Sequence, residues 1–337
     1  MNSDQWLQGL LLPFARRREF LRLARDGGGS EHALAASLRE SGSDAERRTH
    51  VARLVARCQA SEIQILTPAE PLYPLPWLEL MDDFPPALFV KGRAELLGRR
   101  DAVSIVGARK ATADGIVWAE RCGRDLARSG CVVVSGLAYG IDAASHRGCL
   151  AAADEAIAVL GTGVDHAYPP ENAELQLEIQ ERGCVLSELP PGFGPRKWNF
   201  VARNRLIAAL GIGLVVVEAG RRSGTLSTVG FAQDFGRDVL VVPGFPGRPQ
   251  HEGTLKLIRE GAGVVRDARD VMEDLRLLPL QSPASARLPG GLLGPARAEE
   301  IAVAAGKSIH ATVAELSALE IDGRVRRLAG GLYIPVE

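Results

Sequence analysis

Seven short runs of valine, isoleucine and leucine alternate with helical patterns along the middle of the chain. Each run is almost continuously apolar, which is typical of strands that are buried on both faces of a parallel sheet. The alternation of such strands with helices predicts an α/β fold with a doubly wound sheet. The predicted strands are residues 102–107, 131–136, 156–161, 184–188, 213–220, 238–244 and 263–265.

The first part of the chain has a different pattern. Residues 1–62 carry apolar positions near helical spacing and predict a small helical domain of three short helices. Such a unit serves either as a contact for nucleic acid or as a packing cap. Six prolines then break up residues 67–92, which predict a connector at the start of a domain covering residues 63–275.

The last part of the chain predicts a linker and a second small domain. Residues 276–295 are rich in proline, glycine, leucine and serine, which is typical of a linker. Residues 296–337 predict two helices and a hairpin turning at Gly330 and Gly331, a winged-helix-like unit. Its second helix carries few cations, so a structural or protein-binding role is as consistent with the sequence as duplex binding.

Composition limits the classes of function. Among the 337 residues, 40 lysines and arginines face 41 aspartates and glutamates, so affinity for nucleic acid has to come from a local basic patch. The five cysteines form no CxxC pair, and we expect no metal, no cofactor and a reducing cytoplasmic location. No signal peptide or membrane-spanning run is predicted.

One stretch, PRKWNFVARNR at residues 195–205, concentrates the candidate chemistry. It combines four cations, two aromatic rings and two asparagines, and we expect it to lie on a loop that leads into the sheet. Unpaired bases stack on aromatic rings while lysine and arginine follow the phosphates. The stretch therefore predicts a site for single-stranded nucleic acid, although a solvated basic helix start is the alternative.

The turns after the predicted strands carry glycine together with hydroxyl or cationic side chains. Glycine lets backbone N–H groups approach an anion, and ligands of doubly wound sheets collect at the carboxyl ends of the strands. Three of these turns are Gly107–Lys110, Ser135–Gly136 and Ser223–Gly224. They predict a phosphate-binding edge of the sheet.

Two pairs of residues could be catalytic or structural. Asp142 and His146 are four residues apart, as an acid and a base on one helix face would be, but Asp142 could instead cap that helix. Glu188 and Glu218 lie at strand ends and could form a carboxylate pair, or could instead orient Arg203 or Arg205 or cap a neighbouring helix. No sequence pattern fixes a serine or cysteine nucleophile beside Asp142 or His146, so we assign no catalytic residue.

The motifs in chain order resemble the DNA-processing protein A family, also called DprA or Smf. The resemblance covers most of residues 63–265. It rests on IVGAR, SGLAYGID, VLGTGVDHAYP, LSE, RNRLIA, VVVEA, SGTLST, VPG and LIREGA. It implies an extended Rossmann-like domain between a helical N-terminal domain and a winged helix. It also implies a homodimer that binds incoming single-stranded DNA in natural transformation and loads the RecA recombinase onto it.

The resemblance also implies roles for particular residues. Arg109, the Lys197–Phe200 pair and the RNR run at residues 203–205 match the family's DNA pocket. The chain departs from the family at Val201–Ala202, where proline is usual, and at residues 253–256, beside the family's dimer contact. The predicted nucleic-acid-binding residues are Gly107, Arg109, Lys110, Ser135, Gly136, Lys197, Trp198, Phe200, Arg203, Asn204, Arg205, Ser223 and Gly224. The predicted dimer residues are Leu255, Leu257 and Ile258.

Two other functions fit parts of the sequence. The SGTLST turn after Glu218 resembles the phosphate turn of lonely-guy-type phosphoribohydrolases, which would make the protein a nucleotide N-glycosidase. Those enzymes carry a PGG turn with a glutamate just beyond the threonine, whereas here the strand ends in EAG and the later position is Ser227 or Thr228. A dinucleotide oxidoreductase is disfavoured because the first turn, GARKATADG, lacks the GxGxxG pattern.

Overall fold

The structure is a computed structural model that describes residues 2–12, 14–25, 44–277, 288–290, 292, 296–321, 325–328 and 331–335. The chain divides into two compact units, Met1–Leu275 and Arg276–Glu337. The predicted boundaries at residues 62 and 295 stay predictions.

The first unit is built on a mostly parallel sheet. Among its described residues nine strands pair in the order β1-β2-β6-β5-β4-β3-β7-β8-β9, and all neighbours from β6 to β9 in that order are parallel. The strands are β1 (Gln64–Leu66), β2 (Leu88–Gly92), β3 (Ala102–Val106), β4 (Val132–Ser135), β5 (Ala156–Val159), β6 (Cys184–Ser187), β7 (Gly213–Val216), β8 (Asp238–Val241) and β9 (Gly263–Val264). The α/β class and all seven predicted strands are confirmed.

The connector prediction for residues 67–92 is wrong at its end. Strand β2 pairs antiparallel with both β1 and β6, and its first three residues are buried. The prolines at 85 and 86 end just before it, so they shape the entry to the strand and leave its N–H groups free to pair.

Helices cover the sheet and share its core. The α-helices among the described residues of the first unit are α1 (Ser3–Leu10), α2 (Phe14–Arg25), α3 (Asp44–Ala60), α4 (Trp77–Leu80), α5 (Ala113–Arg128), α6 (Ile141–Leu150), α7 (Ala173–Arg182), α8 (Lys197–Leu210), α9 (Thr225–Asp234), α10 (Glu252–Arg259) and α11 (Ala268–Asp274). Trp6 packs edge-to-face on Phe20 and Phe84, at ring-centroid distances of 5.7 and 5.9 Å. The N-terminal helices are therefore anchored to the sheet domain by aromatic packing.

We expected the basic stretch to lie on a loop, and this prediction is wrong. Helix α8 begins at Lys197, so most of the stretch is helical. The chain has no proline or glycine between Arg196 and Leu210, and the residues Leu206–Leu210 are buried in the hydrophobic core. Pro195 and Gly211 bound the helix. The alternative interpretation of this stretch, a solvated basic start of a helix, is therefore correct for its backbone.

The second unit contains two helices and a small antiparallel sheet among its described residues. The elements are β10 (Ala296–Arg297), α12 (Ala298–Ala305), α13 (Ile309–Ile321), β11 (Val325–Arg327) and β12 (Leu332–Pro335). Strand β12 lies between β10 and β11, and Ile301, Leu316 and Tyr333 form the core. Gly330 of the predicted turn lies outside the described residues, and the winged-helix interpretation stays a prediction. No helix in the described part of the chain has the length and apolar character to cross a membrane.

Candidate nucleic-acid interface

A pocket of about 660 Å³ opens at the carboxyl ends of the parallel strands. Strand β3 lies between β4 and β7, so the order of the sheet reverses direction at β3. Loops from both sides of this switch point line the pocket, namely Gly107–Lys110 after β3 and Ser223–Thr225 after β7. Ligands of open α/β sheets bind at such a point.

One face of helix α8 forms another wall of the pocket. Lys197, Phe200, Val201 and Asn204 line it at spacings of three and four residues, which place side chains on one side of a helix. The helix is therefore the element that brings a cation, an aromatic ring and an amide to the switch point.

The ring of Phe200 is held in a fixed position. Tyr168 lies 5.1 Å from it between ring centroids, and the Arg109 guanidinium carbon lies 5.6 Å from its centroid. Gly161 lies behind the ring, where a β-carbon would come within 2.7 Å of Phe200 Cδ1. Neither Tyr168 nor Gly161 is among the binding residues predicted from the sequence. Only the folded chain brings them to Phe200.

The exposed cations of the pocket carry no counter-charge. In the described part of the chain, Arg109, Lys110 and Lys197 have no carboxylate within salt-bridge distance. Lys197 also stands in the first turn of α8, which contains no acidic residue. A cation at that position opposes the helix dipole, so its placement does not serve helix stability. The arrangement suits an anionic ligand.

Arg203 lines the floor of the pocket and is fully buried. Its Nη1 donates to Gly136 O at 2.7 Å and to Val159 O, and its Nε donates to Asn204 Oδ1 at 3.2 Å. Burial lowers its pKa to about 10, against the attraction of Asp142. Arg203 therefore ties α8 to the ends of β4 and β5 and leaves a positive charge beneath the pocket.

Arg205 points away from the pocket. Its Nη2 donates to Glu188 Oε2 at 2.6 Å and its Nε to Asp83 Oδ2 at 3.1 Å. Residues two apart on a helix face nearly opposite sides, so Arg203 and Arg205 cannot share one site. Glu188 takes the arginine-orienting role that the sequence left open.

The remaining predicted residues lie at different depths. Ser135 is buried beneath the pocket and donates to Ile105 O at 2.6 Å. Trp198 is 65% exposed on the outer side of α8, with Arg196 against its ring at 5.7 Å. Asn204 Nδ2 donates to Ser227 Oγ at 2.8 Å, which joins α8 to α9.

Ser223 and Gly224 form the turn that leads into α9. Ser223 Oγ accepts from Thr225 N at 3.2 Å, and Thr225 Oγ1 donates to Gly107 O at 3.0 Å. These bonds hold the turns after β3 and β7 together at the rim of the pocket. The predicted strand-end residues Gly107, Ser223 and Gly224 therefore come together.

The candidate acid-base groups serve the fold. Glu218 is 2% exposed and accepts from Thr112 N at 3.0 Å and from the Thr112 hydroxyl, which itself caps α5. Asp142 accepts from Ala138 N at 3.4 Å at the start of α6, and burial raises its pKa despite the attraction of Arg203. These contacts favour structural roles at the starts of α5 and α6. The carboxylate of Glu218 is buried and bound to Thr112, which argues against its use as a catalytic group in an N-glycosidase.

His146 is fully buried in α6, and burial lowers its pKa to about 3. The unfolded chain binds a proton at this side chain near pH 6.5, while the folded chain does not. Above pH 6.5 His146 therefore does not reduce the free energy of unfolding. As the pH falls from 6.5 toward 3, this group lowers the free energy of unfolding by up to about 1.4 kcal/mol per pH unit. Urea unfolding at several pH values should show this loss, and a His146→Leu variant should lose less. Parallel pH profiles of the two proteins would contradict the prediction.

The predicted dimer residues divide between core and surface. Leu257 of α10 is 5% exposed and packs in the core of its own unit. Leu255 and Ile258 are half-buried. A dimer contact on α10 stays a prediction, and Leu255 and Ile258 would carry it.

The fold and site define the class of protein: an α/β binding protein with an aromatic, cationic pocket at the switch point of its sheet. Residues 64–276 match the model of the family described as DNA recombination-mediator protein A. The chain belongs to this family.

Individual relatives agree with the family match. Protein Smf of Synechocystis sp. is 41% identical over 237 residues, which cover 69% of this chain and 59% of that protein. The DNA processing protein DprA of Bacillus subtilis is 38% identical over 223 residues, 66% of this chain and 75% of that protein. The chain thus spans less than two thirds of the Synechocystis relative.

Two solved structures share the fold. DNA processing protein A of Streptococcus pneumoniae superposes with a TM-score of 0.69 at 32% identity, covering 81% of this chain and 98% of that chain. The Helicobacter pylori protein, whose structure concerns its mode of single-stranded DNA binding, gives a TM-score of 0.58 at 28% identity, covering 64% and 96%.

Proposed function

We propose that the protein binds single-stranded DNA in the switch-point pocket. The observation that carries the proposal is the cluster of unpaired Arg109, Lys110 and Lys197 around the fixed ring of Phe200. Cations of this kind follow phosphates, and a ring of this kind stacks on a base. The net charge of the chain is −1, so the cluster acts locally.

The pocket favours unpaired over paired bases. A base reaches Phe200 only when it is free of its own stack, because the ring is half-buried at the inner wall of the pocket. A duplex keeps its bases stacked and paired, and it presents only phosphates to the cations. We therefore propose that single strands bind more tightly than duplexes of the same length.

The other predicted residues have supporting parts in this proposal. Arg203 adds positive charge beneath the pocket and, with Gly136 and Asn204, sets the position of α8. Gly107, Ser223 and Gly224 form the rim along which phosphates lie, and Trp198 offers an outer stacking surface. Ser135 supports β4 from below.

Family membership supports a wider role. We propose that the protein acts in the cytoplasm in natural transformation, where it protects incoming single-stranded DNA and loads the RecA recombinase onto it. We also propose a homodimer formed through Leu255 and Ile258. The flanking domains, residues 1–62 and 296–337 with a linker at 276–295, complete the proposed organisation around an extended Rossmann-like domain.

A gel-shift comparison tests the binding proposal directly. Single-stranded and duplex oligonucleotides of matched length are titrated beside a nucleotide-hydrolysis assay with the same protein. We expect the single strand to shift at lower protein concentration and no base to be released. Preferred binding of the duplex would refute the proposal, and released base would instead favour the N-glycosidase.

Lys197→Ala should weaken binding of all sequences alike and lower the slope of log K against log salt by about 0.7, because one phosphate contact and its counterion are lost. Fluorescence anisotropy at several salt concentrations measures this slope. Arg128→Ala is the matched control, since Arg128 ends α5 at the opposite edge of the sheet and is 65% exposed. An unchanged slope for Lys197→Ala would show that Lys197 does not contact a phosphate.

A further inference from the structure

A second cavity, of about 710 Å³, lies between helix α3 and the loop that follows β6. We call it the α3 groove. His50, Arg53, Leu54 and Arg57 line one wall at the spacing of a single helix face. Phe193, 43% exposed, stands in the opposite wall. None of these residues belongs to the switch-point pocket.

Specific contacts hold the two walls of the α3 groove together. Asp165 accepts from Arg57 Nη2 at 2.9 Å and from Gly192 N at 2.8 Å. Gly192 has a φ of +88°, and a β-carbon there would come within 2.6 Å of Arg57 Nη1. Phe193 O also accepts from Gly163 N at 2.8 Å. The groove is therefore a built feature of the fold.

The charge of the α3 groove is positive. Arg17, Arg53 and Arg57 line it against one carboxylate, Glu188, which is bound to Arg205. Arg57 is neutralised by Asp165, but Arg53 is exposed and has no carboxylate partner within the described part of the chain. The groove thus repeats, in Arg53 and Phe193, the pairing of free cation and accessible ring that marks the switch-point pocket.

The two cavities adjoin along the chain. Phe193 precedes Pro195, a lining residue of the switch-point pocket, by two residues, which span at most about 7 Å. Phe193 of the groove and Pro195 of the pocket are therefore close enough for one strand of several nucleotides to contact both. We propose that the α3 groove is a second subsite for the same single strand, with a base on Phe193 and a phosphate at Arg53. This inference rests on the proposed function.

The test compares short with long oligothymidylates, about 5 and about 15 nucleotides, by fluorescence anisotropy. Arg53→Ala and Phe193→Ala should each raise the Kd of the long oligonucleotide about 5-fold or more and leave that of the short one unchanged. Both side chains are exposed, so the variants should keep the unfolding midpoint of the parent. Arg128→Ala is again the control for loss of a surface charge.

The outcomes separate this inference from the proposed function. Wild-type Kd values for Arg53→Ala and Phe193→Ala at both lengths would overturn the second subsite, while a Phe200→Ala variant that is weakened at both lengths would leave the proposed function standing. Equal weakening at both lengths by the groove variants would also overturn it, because they would then be disturbing the first site. If Lys197→Ala and Phe200→Ala bind both lengths as the parent does, the proposed function itself fails.

Discussion

Replacing Phe200 with alanine is expected to weaken the binding of single-stranded DNA by about 1–3 kcal/mol, the contribution of one stacked base. The ring is already fixed before DNA arrives. Tyr168 and Arg109 pack against it, and Gly161 leaves room behind it. A ring that needs no ordering on binding loses little entropy, so most of the stacking energy appears as affinity.

Fluorescence anisotropy with an oligothymidylate measures the effect, and two variants serve as controls. Phe200→Trp retains an aromatic face and should retain most of the affinity. Trp198→Ala removes a ring that is 65% exposed and contacts only Arg196 among the aromatic and cationic partners described, and it should cost less. Undiminished binding by Phe200→Ala, with the fold intact, would remove the stacking claim.

The parallel strands could be predicted because each is a run of valine, isoleucine and leucine with no polar face. Strand β2 could not, because Pro85 and Pro86 stand directly before Leu88–Gly92 and such prolines are typical of connectors. Its pairing with β6 joins residues almost 100 positions apart in the chain. Local patterns carry no information about such a pairing.

The site was predictable in its residue types more than in its geometry. Ligands of doubly wound sheets bind at the carboxyl ends of the strands, which predicts that Gly107, Arg109 and Ser223 lie close together. In the structure all three line the switch-point pocket. Because residues 195–205 were predicted to form a loop, the spacing of side chains around a helix was not applied to them. Only that spacing shows that Arg203 and Arg205 lie on opposite sides of α8. The support of Phe200 by Tyr168 and Gly161 depends on a loop after β5, and nothing in the basic stretch indicates it.

Arg205→Leu is expected to lower the free energy of unfolding by about 3 kcal/mol, the lower end of the range for breaking a buried ion pair. Burial lowers the pKa of Arg205, but the attraction of Glu188 and Asp83 outweighs it and the pKa is raised. Removing the guanidinium leaves both carboxylates without their partner. The cost stays at the lower end because the side chains of Asp83 and Glu188 are 48% and 20% exposed and keep some water.

Urea unfolding at fixed protein concentration measures this loss, and an unchanged m value shows that the native state keeps its compactness. Arg128→Ala should change stability by less than about 0.5 kcal/mol, as expected for a surface arginine. The double variant Arg205→Leu with Glu188→Leu should recover part of the loss, since the unpaired carboxylate is then gone. The folded fraction of Arg205→Leu should bind the short oligothymidylate as the parent does, because the side chain lies on the face of α8 away from the switch-point pocket. A fall in affinity like that of Lys197→Ala, at an unchanged urea midpoint, would instead place Arg205 on the DNA.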